Sequence, residues 1–165
     1  TQAGALSFGA QVQGATLSIA NTNSATFSGK TTITGAANIA VTNDMTTSAE
    51  FGVGGALNIT SVRDLSFGGF VNAGSVNIGS TTARTVTVGA AGMTATGDIT
   101  IVTNIAGTGN GITTNGPLTT CATTALTLTS VRGVEVNGSI TAGDVNLSGS
   151  PLTVRGVGPN PYLGA

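Results

Sequence analysis

Histidine and tryptophan are absent from the 165-residue sequence, and cysteine occurs once, as Cys121. Because histidine is a ligand in most zinc sites of the usual type, its absence argues against such a metal centre. A single cysteine excludes an internal disulfide, so Cys121 is interpreted as a small buried residue, with a disulfide between subunits as the alternative. We therefore predict no metal and no cofactor.

Charge is also scarce, since only 7% of the residues are charged and the net charge is −1. A typical globular domain has about 25% charged residues. The sequence has no run of about 18 apolar residues, so we predict no transmembrane segment. The basic residues are too scattered to neutralise a row of phosphates, and we predict no nucleic-acid partner. These basic residues are Lys30, Arg63, Arg84, Arg132 and Arg155.

Short apolar–polar–apolar triplets recur along the chain, for example at residues 57–59 and 76–78. This alternation is typical of β-strands, and the triplets are separated by Gly, Asn or Ser-Gly turns. Equivalent triplets lie about 20 residues apart, which is the spacing of a repeat architecture. The longest repeat joins residues 56–74 to residues 125–143 without a gap.

A unit of about twenty residues with three short strands cannot bury its own apolar side, but a stack of such units can. We therefore predict an all-β fold, a parallel β-helix or β-solenoid of about eight coils. The first and third residues of each triplet point inward. Residues 1–165 are predicted to form one domain, with coils over residues 1–154. Residues 155–165 are interpreted as a tail that is either a cap or a connector between subunits.

Asparagine occupies the outward middle position of three successive triplets, at Asn38, Asn58 and Asn77. The spacings of 20 and 19 residues equal one predicted coil. Stacked Asn amides can hydrogen-bond to one another, as they do in cross-β assemblies. We predict an Asn ladder along the outside of the solenoid.

The stretches ALNITSVRDLSFGGFVNAGSVNIGS and GVEVNGSITAGDVNLSGSPLTV resemble the repeats of filamentous-haemagglutinin-type adhesins and autotransporter passenger domains. The resemblance extends over roughly residues 17–154. It implies a right-handed parallel β-helix and a secreted bacterial protein, located outside the cell or on its surface. The sequence begins at Thr1 rather than Met, which we interpret as a trimmed exported chain or a piece of a longer one.

The sequence contains no convincing catalytic set, and we predict that the protein is not an enzyme. Carbohydrate-active enzymes with this fold use clustered acidic and basic side chains. The nearest candidate is the pair Arg63 and Asp64, but the aligned pair Arg132 and Gly133 lacks the acid. We interpret Arg63 and Asp64 as a solvated surface ion pair.

Ice binding is a minor alternative, because the Thr-x-Thr pairs fall at irregular positions in the coil. These pairs are at residues 32–34, 85–87, 94–96 and 127–129.

The two ends of a solenoid are unpaired strand edges unless a cap covers them. At the front, Leu6 and Phe8 belong to a strand that begins almost at once. At the back, prolines stop strand pairing and an apolar pair follows. We predict an assembly interface at the two ends, in which the tail folds over as a cap or extends into the next molecule. Its residues are Leu6, Phe8, Pro159, Pro161, Tyr162 and Leu163.

Together these features predict a structural extracellular protein that assembles end to end into a filament or surface layer. Its partner is then a second copy of itself in a head-to-tail homopolymer, and the low charge reduces repulsion between copies. The alternative is a fragment of a secreted bacterial adhesin that binds a cell-surface glycan or protein. An ice-binding protein and a carbohydrate-active enzyme are the less favoured hypotheses.

Overall fold

The structure, a computed structural model, describes residues 3–80 and 83–155. These residues form nineteen β-strands joined by turns, and no helix occurs among them. The strands are β1 (Ala3–Phe8), β2 (Val12–Gly14), β3 (Leu17–Phe27), β4 (Thr31–Ile33), β5 (Ala37–Val41), β6 (Asp44–Thr47), β7 (Phe51–Ser61), β8 (Asp64–Phe67), β9 (Val71–Ser80), β10 (Thr85–Val88), β11 (Met93–Ala95), β12 (Ile99–Thr103), β13 (Asn110–Thr114), β14 (Leu118–Thr119), β15 (Ala125–Ser130), β16 (Gly133–Val136), β17 (Ile140–Thr141), β18 (Asp144–Ser148) and β19 (Leu152–Val154).

The strands wind around one core and form three faces, on each of which every strand pairs in parallel with the equivalent strand of the next coil. Face one contains β1, the end of β3, and then β6, β8, β10, β13, β16 and β19. Face two contains β2, β4, the starts of β7 and β9, and then β11, β14 and β17. Face three contains the start of β3, then β5, the ends of β7 and β9, and then β12, β15 and β18.

The predicted all-β parallel solenoid is confirmed, with about seven turns. The predicted number of about eight coils is wrong by one. The coils near the middle of the chain are longer than twenty residues, as shown by the pairing of Ile99 with Leu126. Among the described residues, the eighth coil has a strand only on face one, which is β19. The right-handed sense implied by the family resemblance stays a prediction.

The triplet pattern fixes which side chains are buried. Leu57 and Ile59 of β7 are fully buried, while Asn58 between them points outward.

The corners are tight because the backbone of one coil lies directly against the backbone of the next coil. A Cβ atom at Gly69 would overlap the carbonyl oxygen of Ala49 in the preceding coil. Glycine is therefore required at position 69, because the two backbones approach each other too closely for a side chain.

The core changes in character along the solenoid axis. In the first coils it is aromatic: Phe8 stacks on Phe27 with ring centroids 4.7 Å apart, and Phe27 meets Phe51 edge to face at 5.1 Å. In the later coils it is aliphatic and contains one buried hydroxyl pair, in which Thr103 Oγ1 donates to Ser130 Oγ over 2.7 Å. The side chains of this aliphatic section are Ile99, Ile101, Ile112, Leu126, Leu128, Val134 and Val136.

Three threonine hydroxyls lie in the core without a hydrogen-bond partner among the described residues, at Thr31, Thr47 and Thr114. Thr47 lies between Phe27 and Phe67 in the same inward column of face one. A buried hydroxyl without a partner costs free energy, because it has lost its hydrogen bonds to water. These three hydroxyls therefore lower the stability of the fold.

Candidate functional site

The N-terminal end of the described part of the solenoid is an open sheet edge. Within residues 3–80 and 83–155, β1 pairs only with β3 and β2 pairs only with β4. The inward residues of this end pack on the core but are only half-buried: Leu6, Phe8, Val12 and Leu17. The sequence before Lys30 contains no charged residue and no proline. Natural edge strands usually carry such residues, which oppose pairing with other chains.

The C-terminal end of the described chain is open in the same way. There β19 pairs on one side only, with β16. Leu152 is 47% exposed and Val154 is 36% exposed, and both lie in the inward column of face one. On the other two faces, Ile140 and Leu147 are partly buried against the core. Both ends of this described part therefore present apolar side chains beside backbone groups that have no partner within it.

The predicted assembly residues divide between the two parts of the chain. Leu6 and Phe8 lie on β1, at the N-terminal end of face one. Phe8 has one ring face on Phe27. The remaining predicted residues, Pro159, Pro161, Tyr162 and Leu163, lie outside the described residues.

The three predicted ladder residues Asn38, Asn58 and Asn77 are stacked in register on the outside of face three. The Asn58 Nδ2 atom donates to Asn38 Oδ1 over 2.9 Å. Below Asn77 the column continues with Thr100, Thr127 and Asn146. The column is therefore polar and uncharged over its whole length.

Two further Asn–Asn contacts between coils were missed by the sequence analysis. Asn43 donates its amide to Asn23, and Asn137 Nδ2 donates to Asn115 Oδ1 over 3.1 Å. These residues lie at corners rather than in triplets. Their separations of 20 and 22 residues match one coil and are the signal that predicts them.

Four charged residues form a continuous ion ladder (Asp44, Arg63, Asp64 and Arg84) on the corner that precedes face one. Arg63 Nη2 donates to both oxygens of Asp44, at 2.8 and 3.0 Å, and Arg63 Nε contacts Asp64 at 3.3 Å. Arg84 then binds Asp64 with two guanidinium nitrogens, one of them Nε at 3.0 Å. The sequence analysis identified the Arg63–Asp64 pair but not its partners in the neighbouring coils.

Asp64 is the best-connected member of the ion ladder, because it also accepts a hydrogen bond from Thr85 Oγ1 over 2.7 Å. Partial burial acts to raise the pKa of the Asp64 carboxyl, but the hydrogen bonds from Arg84, Thr85 and Arg63 and the positive charge of Arg84 outweigh it. The pKa of Asp64 therefore lies below its ordinary value of 3.8. The ladder is a structural feature of the surface, since each carboxylate is held by an arginine.

Arg132 lies at the equivalent corner further along the axis and is surrounded by backbone rather than acids. Its Nη1 atom donates to the carbonyl oxygen of Arg84 over 3.4 Å, and its guanidinium lies against Gly107 and Gly109. Beside it, Asn110 Nδ2 donates to Glu135 over 2.6 Å, and Arg155 contacts Glu135 at 3.6 Å. The glycine-rich turn thus packs around one arginine side chain.

Outward hydroxyl groups form a column along face one, which the sequence analysis also missed. Three of the four Thr-x-Thr pairs lie elsewhere, since Thr32 and Thr94 are on face two and Thr127 is on face three. Only the pair at residues 85–87 contributes to the column, through Thr87. The signal is instead the middle residue of each face-one triplet. The column runs through Ser7, Thr26, Thr46, Ser66, Thr87 and Thr113, is interrupted by Glu135, and ends at Thr153.

The prediction that Cys121 is buried is wrong. Cys121 is exposed, because it lies in the turn between β14 and β15 rather than in a triplet. Its carbonyl oxygen accepts bonds from the backbone N–H and the hydroxyl of Thr124, at 3.1 and 3.0 Å.

No group of three or more Cys, Asp or Glu side chains in the described part of the chain is arranged to hold a metal ion. The described ranges also contain no helix that is long and apolar enough to cross a membrane.

The chain matches no protein-family model, no curated protein and no solved structure. Its resemblance to filamentous-haemagglutinin-type adhesins and autotransporter passenger domains therefore stays a prediction from the repeats. The chain is a β-helix repeat protein with the fold of a parallel β-solenoid.

Proposed function

We propose that the protein is a non-enzymatic structural protein of the cell exterior whose copies stack end to end into a filament or surface layer. The observation that carries this proposal is the pair of sheet edges at the two ends of the described part. There both terminal strands of face one combine backbone groups that have no partner among the described residues with incompletely buried apolar side chains. Strand pairing between copies satisfies the backbone groups and removes the apolar surface from water.

The charge distribution also supports stacking. The strands β1 and β2 contain no charged residue. On the sides of the solenoid the charges are largely compensated within the chain, by the ion ladder and by the Lys30–Glu50 pair at 2.8 Å. Since a net charge of −1 gives little repulsion between copies, stacking meets no strong electrostatic barrier.

Electron microscopy of the purified chain over a range of protein concentrations tests this function. We expect unbranched filaments whose width is that of a single solenoid, together with concentration-dependent sedimentation. A chain that remains monomeric at the highest concentration reached, with its β-rich circular dichroism spectrum intact, would contradict the proposal. The spectrum is the control that separates failure to assemble from failure to fold.

A second candidate function, adhesion to a cell-surface glycan, is favoured by the outward columns. The middle positions of faces two and three carry no charged side chain, and amides and hydroxyls fill most of them. Such groups can hydrogen-bond sugar hydroxyls along a flat face. A glycan-binding screen tests this candidate if it is performed on preparations of the protein that contain no filaments. Binding under those conditions would favour adhesion over assembly.

A further inference from the structure

Resting on the proposed end-to-end assembly, we infer that the junction between copies forms on face one. In this junction β19 of one copy pairs in parallel with β1 of the next. Leu152 then lies against Leu6, and Val154 lies against Phe8. The occupant of each open end is a second copy of this chain.

The strand count of the three faces places the junction on face one. Face one has eight described strands, whereas faces two and three have seven each. Because the chain rises continuously along the axis, β1 is the foremost described strand at one end and β19 is the foremost described strand at the other. When two copies approach along the axis, these strands are the first to reach the separation of about 4.8 Å at which strands pair.

The hydrogen-bonding groups of the two edges are complementary. Inward residues donate toward the following coil, as Val12 N does to Lys30 O and Val134 N does to Pro151 O, both at 2.9 Å. In a parallel ladder the N–H and C=O of one residue point to the same neighbouring strand. The backbone groups of Leu152 and Val154 have no partner among the described residues and therefore point off the C-terminal end. Those of Ala5 and Ser7 likewise have none within residues 3–80 and 83–155, and they point off the N-terminal end, toward the next copy's Leu152 and Val154.

The side chains of the two strands match in the same register. Leu6-Ser7-Phe8 and Leu152-Thr153-Val154 are both apolar–hydroxyl–apolar, with the apolar residues in the inward columns. At the junction Val154 covers the ring face of Phe8 opposite Phe27, so that the aromatic stack continues into the next copy. Thr153 adjoins Ser7, so that the hydroxyl column of face one also continues.

The junction leaves space for one further strand on faces two and three, because those faces are one strand shorter. Residues 156–165 follow Arg155 directly and lie outside the described part. A chain that lacks residues 156–165 therefore tests whether they contribute to the junction, separately from β1 and β19.

Disulfide trapping tests this register. In a Cys121→Ser background, a Ser7→Cys chain is mixed with a Thr153→Cys chain and oxidised under mild conditions. Two outward residues that pair across parallel strands have their Cα atoms close to the separation of about 4.4–6.8 Å that a disulfide requires. We expect a dimer of mixed composition on a non-reducing gel, and at most traces of dimer from either chain alone.

The control pairs the Ser7→Cys chain with a Thr141→Cys chain, whose cysteine lies outward on β17 of face two. If this control cross-links as well as the face-one pair, or if the Ser7→Cys chain cross-links strongly to itself, the inferred junction is wrong. If the wild-type chain forms filaments but the face-one pair does not cross-link, the assembly stands and only this junction is overturned. If no filaments and no cross-links form, both proposals fail.

Discussion

The N-terminal part of the solenoid, residues 3–80, is far more regular than the C-terminal part, residues 83–155. In the N-terminal part, register partners such as Phe8 and Phe27 lie 19 to 21 residues apart. In the C-terminal part, the separation reaches 27 residues, between Ile99 and Leu126. Both parts nevertheless keep the same three faces. The difference teaches that the inward triplets determine the coil, and that extra residues are accommodated at the corners.

The two parts also differ in how neighbouring coils are connected. The N-terminal part contains the phenylalanine stack, the Asn38–Asn58 contact and the ion ladder as far as Asp64. The C-terminal part has an aliphatic core with a buried hydroxyl pair, and its polar contacts between coils are isolated pairs such as Asn115–Asn137 and Asn110–Glu135. We therefore expect side-chain ladders to support regular stacking but not to be needed for it.

The largest expected effect comes from truncating the core, and it tests whether the two parts are equally well packed. Leu57 and Leu126 are both fully buried and occupy the same inward column of face three. We expect Leu57→Ala and Leu126→Ala each to lower the free energy of unfolding by about 2–5 kcal/mol. Leu147→Ala, at a half-buried site in the last coil, should cost less than half as much. Urea unfolding of the three variants measures this, and a small loss at Leu126 alone would contradict equal packing.

A smaller loss is expected when a tight corner of the regular part is filled. Gly69→Ala places a Cβ against the backbone of Ala49, which cannot move without shifting a coil. We expect a loss of about 1–3 kcal/mol. Gly9→Ala is the matched control, because a Cβ there meets no atom within 4 Å. Equal thermal stability of the two variants would show that the corner is looser than the structure has it.

Removing a buried hydroxyl should stabilise the regular part. Thr47→Val keeps the shape of the side chain and removes a hydroxyl that has no partner among the described residues. We expect a gain of about 1–2 kcal/mol in the free energy of unfolding. The control is Thr46→Val, which changes the neighbouring outward residue and should be nearly neutral. A loss of stability at Thr47 would indicate that its hydroxyl has a bonding role.

The smallest expected effect is the pH dependence of the ion ladder. Because the pKa of Asp64 in the folded chain is below 3.8, its contribution to stability is present above about pH 4. It is lost as the pH falls through the folded-state pKa. Asp64→Asn should therefore lower stability by under about 1 kcal/mol at pH 7 and have less effect at pH 2. The exposed Asp144→Asn variant is the comparison, and an equal pH dependence in both variants would contradict a special role for Asp64.

The sequence predicts the stacked triplets well, because one physical rule, burial of alternate residues in a repeated coil, determines them. Leu57, Ile59 and the outward Asn58 follow directly from that rule. The number of coils does not follow, because the long corners, such as residues 104–109, contain no triplet pattern. The exposure of Cys121 was also missed, because residues 120–124 between β14 and β15 contain no triplet pattern either.

The lateral contacts were predicted only in part. Asn38, Asn58 and Asn77 share one triplet position, so their stacking is visible in the sequence. The ion ladder joins residues at different positions in successive coils, such as Arg84 and Asp64, and needs the register of the corners. The prediction of an assembly interface rests on the early start of β1, but which face would meet the next copy depends on the strand count of each face.

The axial rise per subunit in the filaments, measured by cryo-electron microscopy, tests end-to-end stacking most directly. Eight paired strands per copy on face one, at about 4.8 Å each, predict a rise of about 38 Å and continuous strand density across each junction. Absence of filaments from folded chain would contradict the account. So would filaments whose rise differs from this value by more than one strand spacing, because β19 and β1 would then not be paired.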